Sequence, residues 1–563
     1  MSAILFMTLV IGGTALLAWP LGRHLKWAMD PTPSLVSTRS KIDRLFLLVG
    51  GKAVGKPQGW KQYTLYLLVF NAVMFGLAFA LLACQQSLPL NPDGKGALDA
   101  SLVFNTAVSF TTNTNLQHYS GEVSLSYFSQ LFALMWLQFV SAATGIAALA
   151  ALARGLSGRK HLGNFLMDVQ RATFLVLLPL AVIFAVLLVL GGVPMTLEGS
   201  AVATTLEGIQ QTIARGPVAA FVAIKQLGTN GGGFFGPNAT HPLENPGLFT
   251  DVLSMVMIIL IPMACVWMYG RIVGSRRHAA VIFGVMLALL LLKAGSAVYF
   301  ETAPTQALAG LPVEQTVGNL EGKELRLGAA TGPLWGVLTT STSNGSVGAM
   351  QNSLNPLTGL CALVGMWLNA TFGGVGVGMI NMFVFIVIAV FVAGLMVGRT
   401  PEYLGRKIEP REMKLAAIAL ICHPLFILVG TALFAATAWG IDTVNNAGPR
   451  GFTEILYEFS SAAANNGSGY EGLGDGTAPW NIATGLVMLL GRYLPIILPL
   501  AIAGSLAAKK PVAESAGTLR TDGLTFGIMM LATIIFIGAL TFFPVALLGP
   551  IAEHLAYMHY PLI

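Results

Sequence analysis

Ten stretches of this chain are apolar for long enough to cross a lipid bilayer as helices. A hydrocarbon core needs about 20 apolar residues of helix. Inside it each backbone N–H and C=O must find a partner, and a helix supplies those partners from within the segment. The stretches lie near residues 3–20, 63–83, 127–153, 172–191, 250–270, 279–299, 374–398, 413–440, 481–507 and 524–549. Only 10% of the 563 residues are charged, too few to cover a soluble surface of that size. The expectation is an all-α polytopic membrane protein with little soluble mass. The first stretch lacks the basic lead of a secretion signal and carries its basic residues afterwards, which fits a retained helix.

Charge then orients the spans. If residues 21–62 are cytoplasmic and the loops alternate from there, the cytoplasmic loops hold 23 of the 31 Lys and Arg residues, and the outer segments hold 6. This is the positive-inside pattern, with both termini outside. The net charge of +6 is spread over short loops, so it does not make the basic face that nucleic acid requires. Cys84, Cys265, Cys361 and Cys422 form no CxxC pair and read as packing residues.

The outer loops share a pattern. Each has a segment too short to span, followed by a cluster of Thr, Ser, Asn and Gly. These are 99–110 before Thr111–Asn115, 216–227 before Gly228–Gly233, 332–340 before Ser341–Ser346, and 452–463 before Ala464–Ser468. Alignment of the clusters places Asn115, Gly232, Gly345 and Gly467 in register, separated by 117, 113 and 122 residues. Asn-Gly and Gly-Gly are ordinary turn dipeptides. Four of them at one spacing on one side of the membrane indicate an internal repeat. The expected architecture is ten transmembrane helices with four helix–pore loop–helix repeats around one central pore. The divisions are 1–62 (first helix and cytoplasmic loop), 63–171, 172–278, 279–411 and 412–523 (repeats 1 to 4), and 524–563 (last helix and outer tail).

The clusters contain no Asp or Glu. Calcium and magnesium sites draw on carboxylates or retained waters. A ring of carbonyls and hydroxyls suits a monovalent cation, and the negative C-terminal ends of four re-entrant helices favour one. Thr112, Thr229 and Thr342 align as possible hydroxyl donors, with Ala464 in the fourth position. Glu122, Glu244 and Glu471, near the clusters, either concentrate cations at the mouth or are solvated loop charges.

Longer motifs carry a family resemblance. Gly228-Thr-Asn-Gly-Gly-Gly-Phe-Phe235 followed by His241-Pro242 and Glu244-Asn-Pro246 resembles the second pore loop of the KdpA family, the potassium-binding subunits of bacterial Kdp potassium-transporting ATPases. Glu321-Gly-Lys-Glu324, Gly398-Arg-Thr-Pro-Glu-Tyr-Leu-Gly-Arg-Lys407, and Asn113-Thr-Asn115 with Gln117 and Tyr119–Glu122 are similarly distinctive. The resemblance covers essentially the whole chain. It implies the fold of the superfamily of potassium transporters and a potassium filter built from Thr112, Asn113, Thr114, Asn115, Thr229, Asn230, Gly231, Gly232, Thr342, Ser343, Asn344, Gly345, Asn465, Asn466 and Gly467. Asn344 stands where some members carry cysteine. It also implies a multi-pass protein of the bacterial inner membrane that passes K+ along an intramembrane tunnel to a P-type ATPase subunit. An accessory subunit and a small single-span subunit complete the implied complex, with membrane lipid around it.

The chain itself is not expected to be an enzyme. The phosphorylated Asp-Lys-Thr-Gly motif of P-type pumps is absent, and Pro57 follows Gly55-Lys56 where a nucleotide loop needs Ser or Thr. A stand-alone potassium channel or ion-coupled symporter of the same superfamily is the alternative; residues 321–324 and 398–414 favour the pump subunit. A scaffold that transports nothing would bind no ion.

Several residues leave two readings open. Lys293 and Arg492 fall within apolar runs, where charge is costly. Each is an ion-pairing or snorkelling residue, or part of the pore. Asp251 suits the start of its helix, and His423-Pro424 reads as a local kink. Gly373, Gly374, Gly376 and Gly378 mark either close helix packing or a break in a pore-lining helix. Arg399 is a gate candidate, a fixed positive charge below the filter, or a plain cytoplasmic anchor.

Overall fold

The computed structural model describes residues 3–30, 43–48, 50–305, 308, 311–396, 398, 400–512 and 519–559. Arg399 lies outside the described residues. Ten helices are long and apolar enough to cross a membrane: α1 (Ala3–Met29), α2 (Trp60–Ala83), α4 (Ser129–Leu156), α5 (Phe165–Leu190), α7 (Leu248–Val273), α8 (Arg276–Thr302), α11 (Val377–Met396), α12 (Pro410–Ala435), α14 (Ala478–Ala507) and α15 (Leu524–Ala556). Four shorter helices fill the places of the re-entrant segments: α3 (Ala100–Thr111), α6 (Val218–Leu227), α9 (Thr331–Ser341) and α13 (Gly448–Ala464). By the alternation of the spans, all four enter from one side.

The third repeat departs from the expected outline. Its second helix is in two pieces, α10 (Pro356–Leu368) and α11, separated by residues 369–376. Asn369, Phe372, Gly373 and Gly376 all have positive φ there, at 43°, 63°, 58° and 79°. Two of these are not glycine, so neighbours must hold the backbone in a conformation that L-residues resist. The glycine-rich run is thus a break within the membrane span.

Burial separates the helices by role. In α4 and α7, 72% and 78% of the most apolar window is buried, against 22–28% in α1, α2, α5, α12 and α15. Helices α11, α8 and α14 are intermediate, at 61%, 56% and 50%, so α4 and α7 form the centre of the bundle and the poorly buried helices its outside. Because lipid is as apolar as leucine, hydropathy does not distinguish the two groups. Helix α1 packs along α7, outside the repeats.

On the face opposite the pore loops, charged residues join the elements. Arg154, at the end of α4, forks onto Asp168 at 2.6 and 3.0 Å and donates to Met29 O at 2.6 Å. Tyr63 OH donates to the same Asp168 carboxylate at 3.0 Å. Asp30 pairs with Arg159 and Lys26. Burial raises the Asp30 pKa, but hydrogen bonds from Arg159 and Lys26 and the Arg154 charge outweigh it and hold the carboxyl at about 2. Residues 402–407 of the 398–407 motif fold as a small hairpin of β3 (Glu402–Tyr403) and β4 (Arg406–Lys407), after the hairpin of β1 (Ala201–Thr204) and β2 (Gln210–Ile213) on the pore-loop side. Buried Tyr403 reaches Tyr269 OH at 2.5 Å and His278 Nε2 at 2.8 Å, and Arg406 donates to Leu156 O at 2.8 Å. The motif therefore ties α4, α7 and α8 together.

Candidate ion-selecting site

Each pore helix ends in the same turn. The N–H of Thr114, Asn230, Asn344 and Asn466 donates to the carbonyl five residues earlier, on Ser109, Lys225, Thr339 and Ser461, at 2.9 Å in all four. Positive φ occurs at two positions in every loop: Asn113 and Asn115, Thr229 and Gly231, Ser343 and Gly345, Asn465 and Gly467. These shared features set the structural register. They correct the sequence alignment by one residue in the second loop. Gly231, not Gly232, is equivalent to Asn115, Gly345 and Gly467, and Thr229 is equivalent to Asn113, Ser343 and Asn465, while Gly228 takes the place of Thr112 and Thr342. A run of three glycines left the register ambiguous, and the helix-terminal hydrogen bonds resolve it.

The loops contact one another in a closed ring. A Cβ on Gly231 would overlap Asn344 O, one on Gly345 would overlap Asn466 O, and one on Gly467 would overlap Thr114 O. The neighbouring carbonyl occupies that space, so three of the four positions require glycine for room as well as for φ. The fourth member, Asn115, has a side chain. Its Cβ lies where a Gly232 Cβ would come within 2.9 Å, which explains glycine at 232. Amides fasten the ring. Asn344 Nδ2 donates to Lys225 O and Gln226 O, both at 3.3 Å, and Asn466 Nδ2 donates to the equivalent Thr339 O at 2.9 Å. Asn113 Nδ2 donates to Thr229 O at 2.8 Å, and Asn465 Nδ2 to Thr114 Oγ1 at 2.9 Å. Among the described residues no donor is bound to the carbonyls of Thr114, Asn230, Asn344 or Asn466.

Hydroxyls play a smaller part than expected. Thr112 and Thr342 donate back to Val108 O and Leu338 O, at 2.9 and 2.8 Å. Thr229 Oγ1 accepts from Val375 N–H at 2.9 Å. That bond ties the break between α10 and α11 to the second loop, and Gly373 N–H to Ser341 O at 2.9 Å ties it to the end of α9.

The carboxylates around the loops brace the backbone, Glu244 from a buried position and Glu122 and Glu471 from partly exposed ones. Glu244 is buried, pairs with Lys225 and accepts from the N–H groups of Phe234 and Phe235 at 2.6 and 3.1 Å. Glu122 accepts from Gly236 N–H at 2.7 Å, and Glu471 from Asn352 N–H at 3.0 Å. Asp251 accepts from Asn245 Nδ2 at 2.9 Å. Lys323, in the 321–324 motif, forms a buried ion pair with Glu301 at 2.9 Å.

Lys293 and Arg492 neither pair with a carboxylate nor snorkel among the described residues. Buried Lys293 donates to Ser341 Oγ, at the end of α9, at 2.7 Å. Buried Arg492 donates to Ser141 O at 2.9 Å. Lys293 thus reaches the C-terminal end of α9, and Arg492 the middle of α4, where Ser141 Oγ also donates to Asn113 Oδ1 at 2.8 Å. Sequence hydropathy marked them as unusual but did not show what they touch. His423 approaches Met366 O at 3.0 Å within an unbroken α12, close to the α10–α11 break. Beside it, Asn369, Asn381 and His423 supply polar groups to a mainly apolar cavity of about 60 Å³.

The chain is similar to known proteins over nearly its whole length. The family model described as "KdpA: Potassium-transporting ATPase A subunit" matches residues 7–555. A protein of Geobacillus kaustophilus (strain HTA426), the "Potassium-transporting ATPase potassium-binding subunit", is 47% identical over 555 residues, covering 98% of each chain. In fold, the chain is similar to the crystal structure of the potassium transporter TrkH from Vibrio parahaemolyticus. The TM-score is 0.50 at 14% identity, over 86% of this chain and 97% of that one.

Proposed function

The chain belongs to the potassium-transporting ATPase A subunit family, KdpA, and from that membership we propose that it selects and binds K+ for an ATP-driven uptake complex. The observation that carries this reading is the closed ring of four carboxylate-free loops, with unbonded carbonyls at Thr114, Asn230, Asn344 and Asn466. Such carbonyls replace a cation's hydration shell. Amide hooks between loops hold the ring open when no ion occupies it. The filter residues are those from Thr112 to Asn115, Thr229 to Gly232, Thr342 to Gly345, and Asn465 to Gly467.

Lys293 and Arg492 oppose free passage of a cation below the ring, and the 369–376 break, bonded to Thr229 and Ser341, forms the floor. Arg399 adds a barrier at the cytoplasmic end. K+ leaves sideways along the cavity beside Asn369 and His423 toward a P-type ATPase subunit, which hydrolyses the ATP. An accessory and a small single-span subunit complete the complex in the inner membrane, with both termini of this chain outside.

The test is K+ binding by isothermal titration on the purified complex, wild type against Gly345→Ala. An added Cβ meets Asn466 O and a φ of 91°. Binding should weaken by about tenfold or more, equivalent to about 1.4 kcal/mol, and K+ preference over Na+ should fall. Unchanged affinity and preference would remove the ring from the site. Arg399→Ala should raise passive K+ leak in vesicles; an unaltered leak leaves Arg399 as an anchor.

A further inference from the structure

His118, Glu458 and Asp475 form a group that the filter does not use. His118 lies three residues beyond Asn115 in the first loop, Glu458 is on pore helix α13, and Asp475 is in the loop after the fourth filter strand. Their ligand atoms lie within 4.8 Å of one another. His118 Nε2 is 3.2 Å from Glu458 Oε1 and 4.0 Å from Asp475 Oδ2. On the other side of the ring, Nδ1 faces Asn481 Oδ1 at 2.8 Å and donates to it. Nε2 therefore points at two carboxylates.

Of the other buried carboxylates on this side, Glu244 has Lys225 and Glu301 has Lys323, while Glu454 accepts from Asn352, Asn445 and Asn446 and Asp251 from Asn245. No Lys or Arg pairs with Glu458 or Asp475 among the described residues. The Glu458 side chain is fully buried, and its Oε2 has no hydrogen-bond partner. A proton on Nε2 satisfies Glu458 Oε1 alone. It leaves Asp475 outside hydrogen-bond reach and Oε2 unpaired.

We propose that His118, Glu458 and Asp475 form a divalent transition-metal site, suited to Zn2+, that fastens the first filter loop to the fourth repeat. Bonds of about 2.0–2.2 Å to one nitrogen and two oxygens bring tetrahedral ligand atoms to roughly 3.3 Å apart. The 3.2 Å pair already meets that spacing, and closing the 4.0 Å one needs a short movement of Asp475. Its side chain is 25% exposed and gives the ion a way in, whereas the His118 and Glu458 side chains are fully buried. The nitrogen ligand disfavours K+ and Mg2+ and favours zinc or cobalt. The Asn481 bond orients the imidazole, as outer-sphere partners of metal-bound histidine do. A fourth position remains for water.

The experiment uses the full chain in its purified complex, stripped with a chelator and titrated with ZnCl2. Bound metal is measured after desalting. The expected result is one zinc more per chain in wild type than in His118→Ala or Asp475→Asn. Cobalt should give visible d–d bands in wild type that both variants lose. Asp475→Asn keeps its size on a partly exposed loop, so its folding is checked directly by its melting profile. If wild type binds no more zinc than the two variants, or if cobalt gives identical spectra in all three, the proposal is overturned.

Discussion

At the residue scale, the consequential observation is that one non-glycine member of the ring is matched by an extra glycine. Asn115 brings a Cβ to a position that is glycine in the other three loops, and Gly232 leaves space for it. The two positions should therefore be coupled. Gly232→Ala alone should weaken K+ binding, and Asn115→Gly in the same chain should restore part of the loss. A double-mutant cycle with titration calorimetry measures this, and strict additivity would contradict the packing. Glu244 presents a different case. It is buried against Lys225 and two backbone N–H groups. Glu244→Ala strands the lysine and both donors, so unfolding stability should fall by about 3–5 kcal/mol, read from denaturation in detergent.

At the element scale, the break between α10 and α11 matters most. Its backbone is held by Ser341 O, Thr229 Oγ1 and Asn381 Nδ2, which donates to Asn369 O at 2.9 Å. Positive φ at Asn369 and Phe372 has an energetic cost that these bonds offset. Asn381→Leu removes one of them without touching the filter. Transport rate in reconstituted vesicles should change more than K+ affinity does; an unchanged rate would make the break a static floor. On the opposite face, Asp30 joins α1 to the loop after α4. Its folded pKa of about 2 lies below the ordinary 3.8, so its contribution is complete above about pH 4 and is lost as pH falls through 2. Between those limits the melting temperature should fall more steeply for wild type than for Asp30→Asn.

At the scale of the whole molecule, alternating spans place all four pore loops on one face and the Arg154–Asp168 cluster on the other. From the positive-inside count we propose that the pore-loop face is the outer one. A cysteine introduced at Leu206, fully exposed in the β1–β2 hairpin, should react with a membrane-impermeant maleimide on intact cells. One at Lys160, in the loop between α4 and α5, should react only after permeabilisation. The reverse pattern would invert the topology.

The ten spans and the four shorter helices were legible because both depend on local properties. Hydropathy over about 20 residues defines a span, and a short apolar segment before a glycine-rich cluster marks a re-entrant helix. Those segments agree with α3, α6, α9 and α13 except that α13 begins earlier, at Gly448. The register of the second loop was not legible, since Gly231, Gly232 and Gly233 are chemically identical and only the bond from Asn230 N–H to Lys225 O distinguishes their places. The partners of Lys293, Arg492 and Glu244, and the meeting of His118 with Glu458 and Asp475, also depended on tertiary structure. Arg492 and Ser141, and Glu458 and His118, are 351 and 340 positions apart and meet only when the first and fourth repeats close the ring, and even the pairs 48 and 19 apart, Lys293 with Ser341 and Glu244 with Lys225, depend on how a helix or loop folds back.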